Sequence, residues 1–194
     1  TGRLYGGNME TRLRQEMLLG VGGVRALRAL GLSPAVWHAN EGHSAFLTLE
    51  RVREYVQSGL SPDKAIERVR ETTVFTTHTP VPAGHDVFPT QVMERYFAGY
   101  WELLGLSRDR FMQLGQHPEY PETGFNMTAL AIRLSGHING VSREHGRISR
   151  SMWRCMWPGT PDSDIPIRSV TNGIHSPTWV SPEINYLYCK YLAP

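Results

Sequence analysis

Four short runs of strand-forming residues constrain this chain more than anything else in it: AVWHAN (35–40), TTVFTTHT (72–79), HINGVS (137–142) and IRSVTNGIH (167–175). Segments with helical period separate them. Short strands alternating with helices mean β-α-β units and a parallel sheet. Because the runs are nearly continuous in apolar character, the sheet is expected to carry helices on both faces.

The helical segments follow from spacing and punctuation. Over 9–30, Met17, Leu18, Val21, Val24, Leu27 and Leu30 recur at three- and four-residue intervals, with arginines on the other face. Gly20, Gly22 and Gly23 interrupt that pattern at about 1 kcal/mol each relative to Ala. They make sense if another backbone packs closely there or if the helix is broken. A second helix runs through Phe46, Leu49, Val52 and Val56, and a third opens at Ser61 with Pro62 in its first position. A mostly helical region follows over 90–115, then a Pro- and Glu-rich loop over 116–124. Helices over 126–136 and 142–153 complete the pattern.

Composition narrows the function classes. An apolar fraction of 40% and a charged fraction of 20% suit a globular core, and a formal charge of +2 with interspersed arginines leaves no nucleic-acid footprint. Cys155 and Cys189 are far apart in sequence and read as free thiols of a reducing, cytoplasmic compartment. No run approaches the roughly 18 to 20 apolar residues of a membrane span, and the opening TGRLYGGNMETRLRQE has no signal-peptide core, so no membrane partner is expected. The chain starts with Thr and enters a helical pattern almost at once, which reads as excision from something longer.

In an open parallel sheet, side chains just beyond the carboxyl ends of the strands line the ligand crevice. All four ends here are polar: His38, Asn40, Glu41 and His43; His78 and Thr79; Ser142 to His145; Asn172 and His175. An imidazole such as His78, mounted on a rigid strand, can offer a well-aimed donor or acceptor. Structural readings compete. A strand-end histidine can be a hydrogen-bonded structural residue, Asn172-Gly173 is a turn signal, and Ser142 can cap a helix. HANEGH and HTPVPAGHD hold the His, Glu and Asp of a metal centre, but the spacing disfavours one, because His38 and His43 are five apart across a strand-to-helix turn. Neither a GXSXG elbow nor a strand-following glycine fingerprint is present.

Taken in order, RLRQEMLLGVGG, HANEGHSAFL, FTTHTPVPAGHDVFP, NMTALAIRLSGHINGVSREHG and SVTNGIHSPTWVSPE resemble the α-glucan phosphorylases, in their shorter bacterial and archaeal form. The resemblance implies a GT-B architecture, with residues 1–194 as one incomplete Rossmann-like domain, the later part of the N-terminal half. It also implies that the C-terminal, cofactor-bearing domain lies outside these residues. It implies reversible phosphorolysis of terminal α-1,4-glucosyl units to glucose 1-phosphate, with glucan and phosphate as partners and pyridoxal phosphate as cofactor. The cofactor's lysine is not in this chain, which alone is expected to be inactive; a homo-oligomeric parent is compatible with the resemblance. Carried over by position, His78 is the catalytic histidine that contacts the glucosyl unit, and Asn172 hydrogen-bonds the same sugar. Glu41 and His43 resemble an acid-x-His pair beside the cleft, and Asn8 part of a gate over it. Two readings from other classes stand beside this one: a non-catalytic glucan-binding module using Tyr96, Tyr100 and Trp101, and a histidine-based metal hydrolase.

Overall fold

The computed structural model describes residues 8–81 and 84–192. Strands β1 (Trp37–Asn40), β2 (Thr73–Thr77), β5 (His137–Gly140) and β6 (Ile167–Ser169) form a four-stranded sheet in the order β1-β2-β5-β6, every pair parallel. This is the partial Rossmann-like α/β sheet expected, with helices packed on it. A second, two-stranded antiparallel sheet pairs β3 (Val87–Phe88) with β4 (Phe125–Asn126).

The N-terminal helix resolves both readings of its glycines. Helix α1 (Met9–Met17) passes through a π-turn (Leu18–Gly22) into α2 (Gly23–Ala29). A β-carbon on Gly20 would stand 2.7 Å from the Leu47 amide nitrogen, so this residue admits the start of α3 (Phe46–Gln57) against the helix. The chain then forms α4 (Pro62–Glu71), and Ser61 occupies its cap position without a side-chain bond. The mostly helical region expected over 90–115 is three short helices, α5 (Thr90–Phe97), α6 (Tyr100–Leu103) and α7 (Arg108–Gly115), separated where Gly99 and Gly105 adopt positive φ. Helices α8 (Met127–Arg133) and α9 (Arg143–Trp153) follow, capped by Asn126 and Ser142. Beyond β6, α10 (Ser176–Trp179) and α11 (Pro182–Tyr191) bury none of their residues.

Phe46, Phe97, Phe111 and Phe125 form a closed ring of contacts in the core, with centroids 4.9 to 6.3 Å apart. Such pairs add about 0.5–1.5 kcal/mol beyond area burial. Tyr100 and Trp101 pack edge-on or tilted against Phe97 and Phe111. The structure therefore uses these aromatics to fill the core, and the sugar-stacking surface expected of a binding module is not built from them.

The two-sided cover expected of the sheet is incomplete, and this expectation needs correcting at its edges. The register puts Trp37, Ala39, Thr73, Phe75, Ile138 and Ile167 on one face, and all are buried. On the opposite face His38, Asn40, His137 and Arg168 are exposed. Across it His38 Nε2 lies 2.7 Å from Thr76 Oγ1, which in turn donates to Asn139 Oδ1 at 2.9 Å. The strand order explains the asymmetry. All three crossovers step the same way across the sheet, and right-handed crossovers in one direction place their helices on one face.

Candidate functional site

The carboxyl ends of the strands lie along one edge of the sheet, and Glu41 organises it. Its backbone N–H extends the ladder to the Thr76 carbonyl at 2.9 Å, after which the chain turns sharply into a 3-10 segment (Gly42–Ser44). At φ 66 and ψ 168, Glu41 is the only non-glycine residue with positive φ among those described. That region is essentially glycine's, and holding another residue there costs about 1–3 kcal/mol. Its carboxylate is correspondingly engaged. It accepts from the Gly42 N–H at 3.3 Å, from the Thr79 hydroxyl at 3.0 Å and from the His78 backbone N–H. The residue that ends β1 thus pins the residues that end β2.

The Glu41 carboxylate opens onto a cavity of about 190 Å³ lined by Arg12, His43, Thr79, His85, Asp86 and Thr128, among others. That is smaller than the ~300–1,000 Å³ typical of a complete small-molecule site. Larger clefts, of about 490 and 350 Å³, lie along α7 and the ends of α4 and α8, and gather none of the strand-end residues. Burial, and then the positive charge of Arg12, holds the His43 imidazole below its ordinary pKa. His85 is lowered by burial too, with Nδ1 2.8 Å from Thr128 Oγ1 and Nε2 3.4 Å from Met152 Sδ. Both rings are therefore neutral at pH 7.

The expected site residues divide into three groups. Glu41 and His43 line this cavity, and the Glu41 carboxylate holds the backbone N–H of His78, whose side chain is exposed. Asn172 is exposed at the same edge, its N–H donating to the Val141 carbonyl at 3.1 Å. Since Thr77 pairs with Gly140, Val141 is the next position beside His78. The backbones of His78 and Asn172 are thus about two strand spacings apart, ~10 Å. Asn8 serves the helix instead, because its Oδ1 accepts from the Thr11 N–H at 3.0 Å and caps α1. The loop before it, where a gate was expected, lies outside the described residues.

Other strand-end residues take the structural readings. Ser142 caps α9 by accepting from the His145 N–H at 3.1 Å, and His145 is buried. His38 lies within β1, on the open face, instead of beyond its end. Among the described residues no group of three or more His, Cys, Asp or Glu could hold a metal ion. Sequence reasoning gave no place at the sugar site to Arg12, His85 or Asp86, whose approach to it depends on contacts up to 74 residues apart.

With this geometry in place, the comparisons with known proteins become informative. No family model matches the chain. A maltodextrin phosphorylase of Thermococcus litoralis is 46% identical over 189 residues, 97% of this chain and 22% of its own length. The chain matches a segment of the α-glucan phosphorylases. A glycogen phosphorylase of Mycobacterium tuberculosis is 48% identical over 94% of the chain and 22% of its own length, and one of Aquifex aeolicus 37% over 98% and 27%. The phosphorylase-like segment therefore spans about a fifth to a quarter of the curated relatives it matches. None of its described helices is long and apolar enough to cross a membrane.

Proposed function

We propose that the longer protein containing this segment is an α-1,4-glucan phosphorylase, and that residues 1–194, as part of an N-terminal Rossmann-like domain, supply one wall of its glucosyl pocket. In the reaction a phosphate oxygen bonds to the anomeric carbon of the terminal glucose as the glycosidic C–O bond breaks. The phosphate's proton passes to the departing 4-hydroxyl, and glucose 1-phosphate results. Positive charge develops on the sugar ring, so fixed dipoles around it lower the barrier.

The observation that carries this reading is the Glu41 clamp on the end of β2. It holds the His78 backbone with a charge-assisted bond, leaving the exposed imidazole to contact a sugar hydroxyl. Asn172, anchored on Val141 along the same edge, offers an amide to the same ring. The neutral His43 forms a polar wall beside them.

Pyridoxal phosphate would supply an acid/base phosphate group when bound. The resemblance assigns the lysine that holds it to a part of the protein outside residues 1–194. The two lysines, Lys64 on α4 and Lys190 on α11, are exposed and remote in sequence from every strand end, and Lys190 lies over the rings of Tyr186 and Tyr191.

The test uses the full-length chain with maltoheptaose and phosphate, following glucose 1-phosphate. The parent should turn over, and His78→Ala and Asn172→Ala should each lower kcat/KM by roughly 100-fold or more, the scale of a lost transition-state donor. Residues 1–194 alone should release none. Undiminished turnover in both variants would remove His78 and Asn172 from the pocket.

A further inference from the structure

A buried carboxyl that this chemistry does not use stands behind the same cavity. Glu16, on α1, is only 2% exposed. One turn earlier on that helix, Arg12 places Nε 2.8 Å from Glu16 Oε1 and a terminal nitrogen 2.8 Å from Asp86 Oδ2. Two carboxyl groups thus face a single guanidinium, which can neutralise only one of them. Beyond the Arg12 contact, neither Glu16 oxygen completes a well-aligned hydrogen bond within the protein. A second carboxylate buried in that position would be an uncompensated charge.

The pair also sits at a structural junction. Asp86 ends the loop that leaves β2, and its carbonyl accepts from the Met127 N–H at 3.0 Å, tying that loop to the start of α8. Arg12 and Asp86 both line the cavity that holds Glu41 and His43.

We infer that Glu16 is held as the neutral acid beside the Arg12–Asp86 ion pair, and that this arrangement ties Asp86 to α1 while keeping a second negative charge away from the pocket wall. Burial first, and then Asp86, push the Glu16 carboxyl up to about 9, in keeping with a neutral acid at pH 7. The other charged or titratable groups around it are Arg12 on its own helix, Glu41 and His43 at the end of β1, and His85 beside Asp86. Of these, His43 and His85 are neutral at and above pH 7. When Glu16 ionises, two carboxylates face one guanidinium, and the added charge behind the wall offsets Arg12 and repels an anionic co-substrate. Glu16 is a positioning residue, and its activity readout rests on the phosphorolysis reading.

The experiment compares the full-length wild type with Glu16→Gln and Asp86→Asn. For wild type, KM for inorganic phosphate should rise with a single ionisation near pH 9, about tenfold per pH unit above it, with kcat less affected. In Glu16→Gln it should stay within about twofold from pH 7 to 10.5, and in Asp86→Asn the rise should begin at lower pH. A second readout needs no turnover. The folded carboxyl's pKa is raised, so its stabilisation is complete below the ordinary carboxylate range and is lost as pH climbs toward 9. The wild-type melting temperature should therefore fall relative to Glu16→Gln between pH 5 and 9. Parallel melting profiles for the two proteins, or an unchanged rise in KM in Glu16→Gln, would overturn the buried proton on Glu16. If the wild type released no glucose 1-phosphate at any pH, the phosphorolysis reading would fail, and the melting comparison would still decide the proton.

Discussion

The strain at Glu41 predicts an inversion of the usual ranking of alanine and glycine. Both Glu41→Ala and Glu41→Gly delete the carboxylate that accepts from His78, Thr79 and Gly42. Bonds to a charged group are worth about 1.5–3 kcal/mol each when buried, and His78 is exposed, so water recovers part of that loss. The loss is common to the two variants and cancels between them. What differs is the β-carbon at φ 66 and ψ 168. Alanine keeps the ~1–3 kcal/mol penalty of that region and glycine removes it. Glycine also loses ~0.4–1 kcal/mol through its freer unfolded chain. The balance favours Glu41→Gly over Glu41→Ala by on the order of 1 kcal/mol. In thermal unfolding of the full-length chain this is ~2–4 °C for a unit of 150–250 residues. An alanine variant at least as stable as the glycine one would show that the backbone at 41 is unstrained and that the clamp has another origin. Phosphorolysis should fall in both variants, because each frees the backbone that mounts His78.

Two further expectations follow from the polar parts of the fold. Thr76→Val should cost about 1 kcal/mol in unfolding, since it removes the hydroxyl between His38 and Asn139 on a face where water can replace it. A cost above about 3 kcal/mol would mean that this face is dry in the full-length protein. The second expectation concerns pH. His43 and His85 have folded pKa values below the usual 6.5, so they contribute stability that is complete above that value and declines as pH falls through it toward the folded values. His85→Gln should flatten the loss of stability between pH 6.5 and 5 in thermal unfolding, and an unchanged slope would assign that loss to other groups.

The sheet was legible because its strands are local events, each bounded by turn residues and followed by a helical period. The β3–β4 pair was not, because two-residue strands have no period of their own. The three-way division of 90–115 could have been read from Gly99 and Gly105, whose positive φ ends the helices before them. The open face was also readable in principle. In AVWHAN, Trp37 and Ala39 alternate with His38 and Asn40, and taking the run as uniformly apolar hid that period of two.

The site was legible by a different route, and only in part. Glu41, His43, His78 and Asn172 belong to the polar residues that gather at the strand ends of any open parallel sheet, as do His38, Ser142 and His145, and it is the resemblance to the phosphorylases that singles out the four. The Arg12, Glu16 and Asp86 cluster does not announce itself, since an Arg and a Glu four apart on an amphipathic helix look like an ordinary exposed pair. What changes their meaning is Asp86, 74 residues beyond Arg12 and delivered by the loop after β2. Burial then turns a surface pattern into a carboxyl pushed far from its ordinary titration range. Local pattern therefore points to the candidate pocket, while the protonation states around it depend on long-range packing. An assay run only near pH 7 would see the pocket and miss the proton that conditions it.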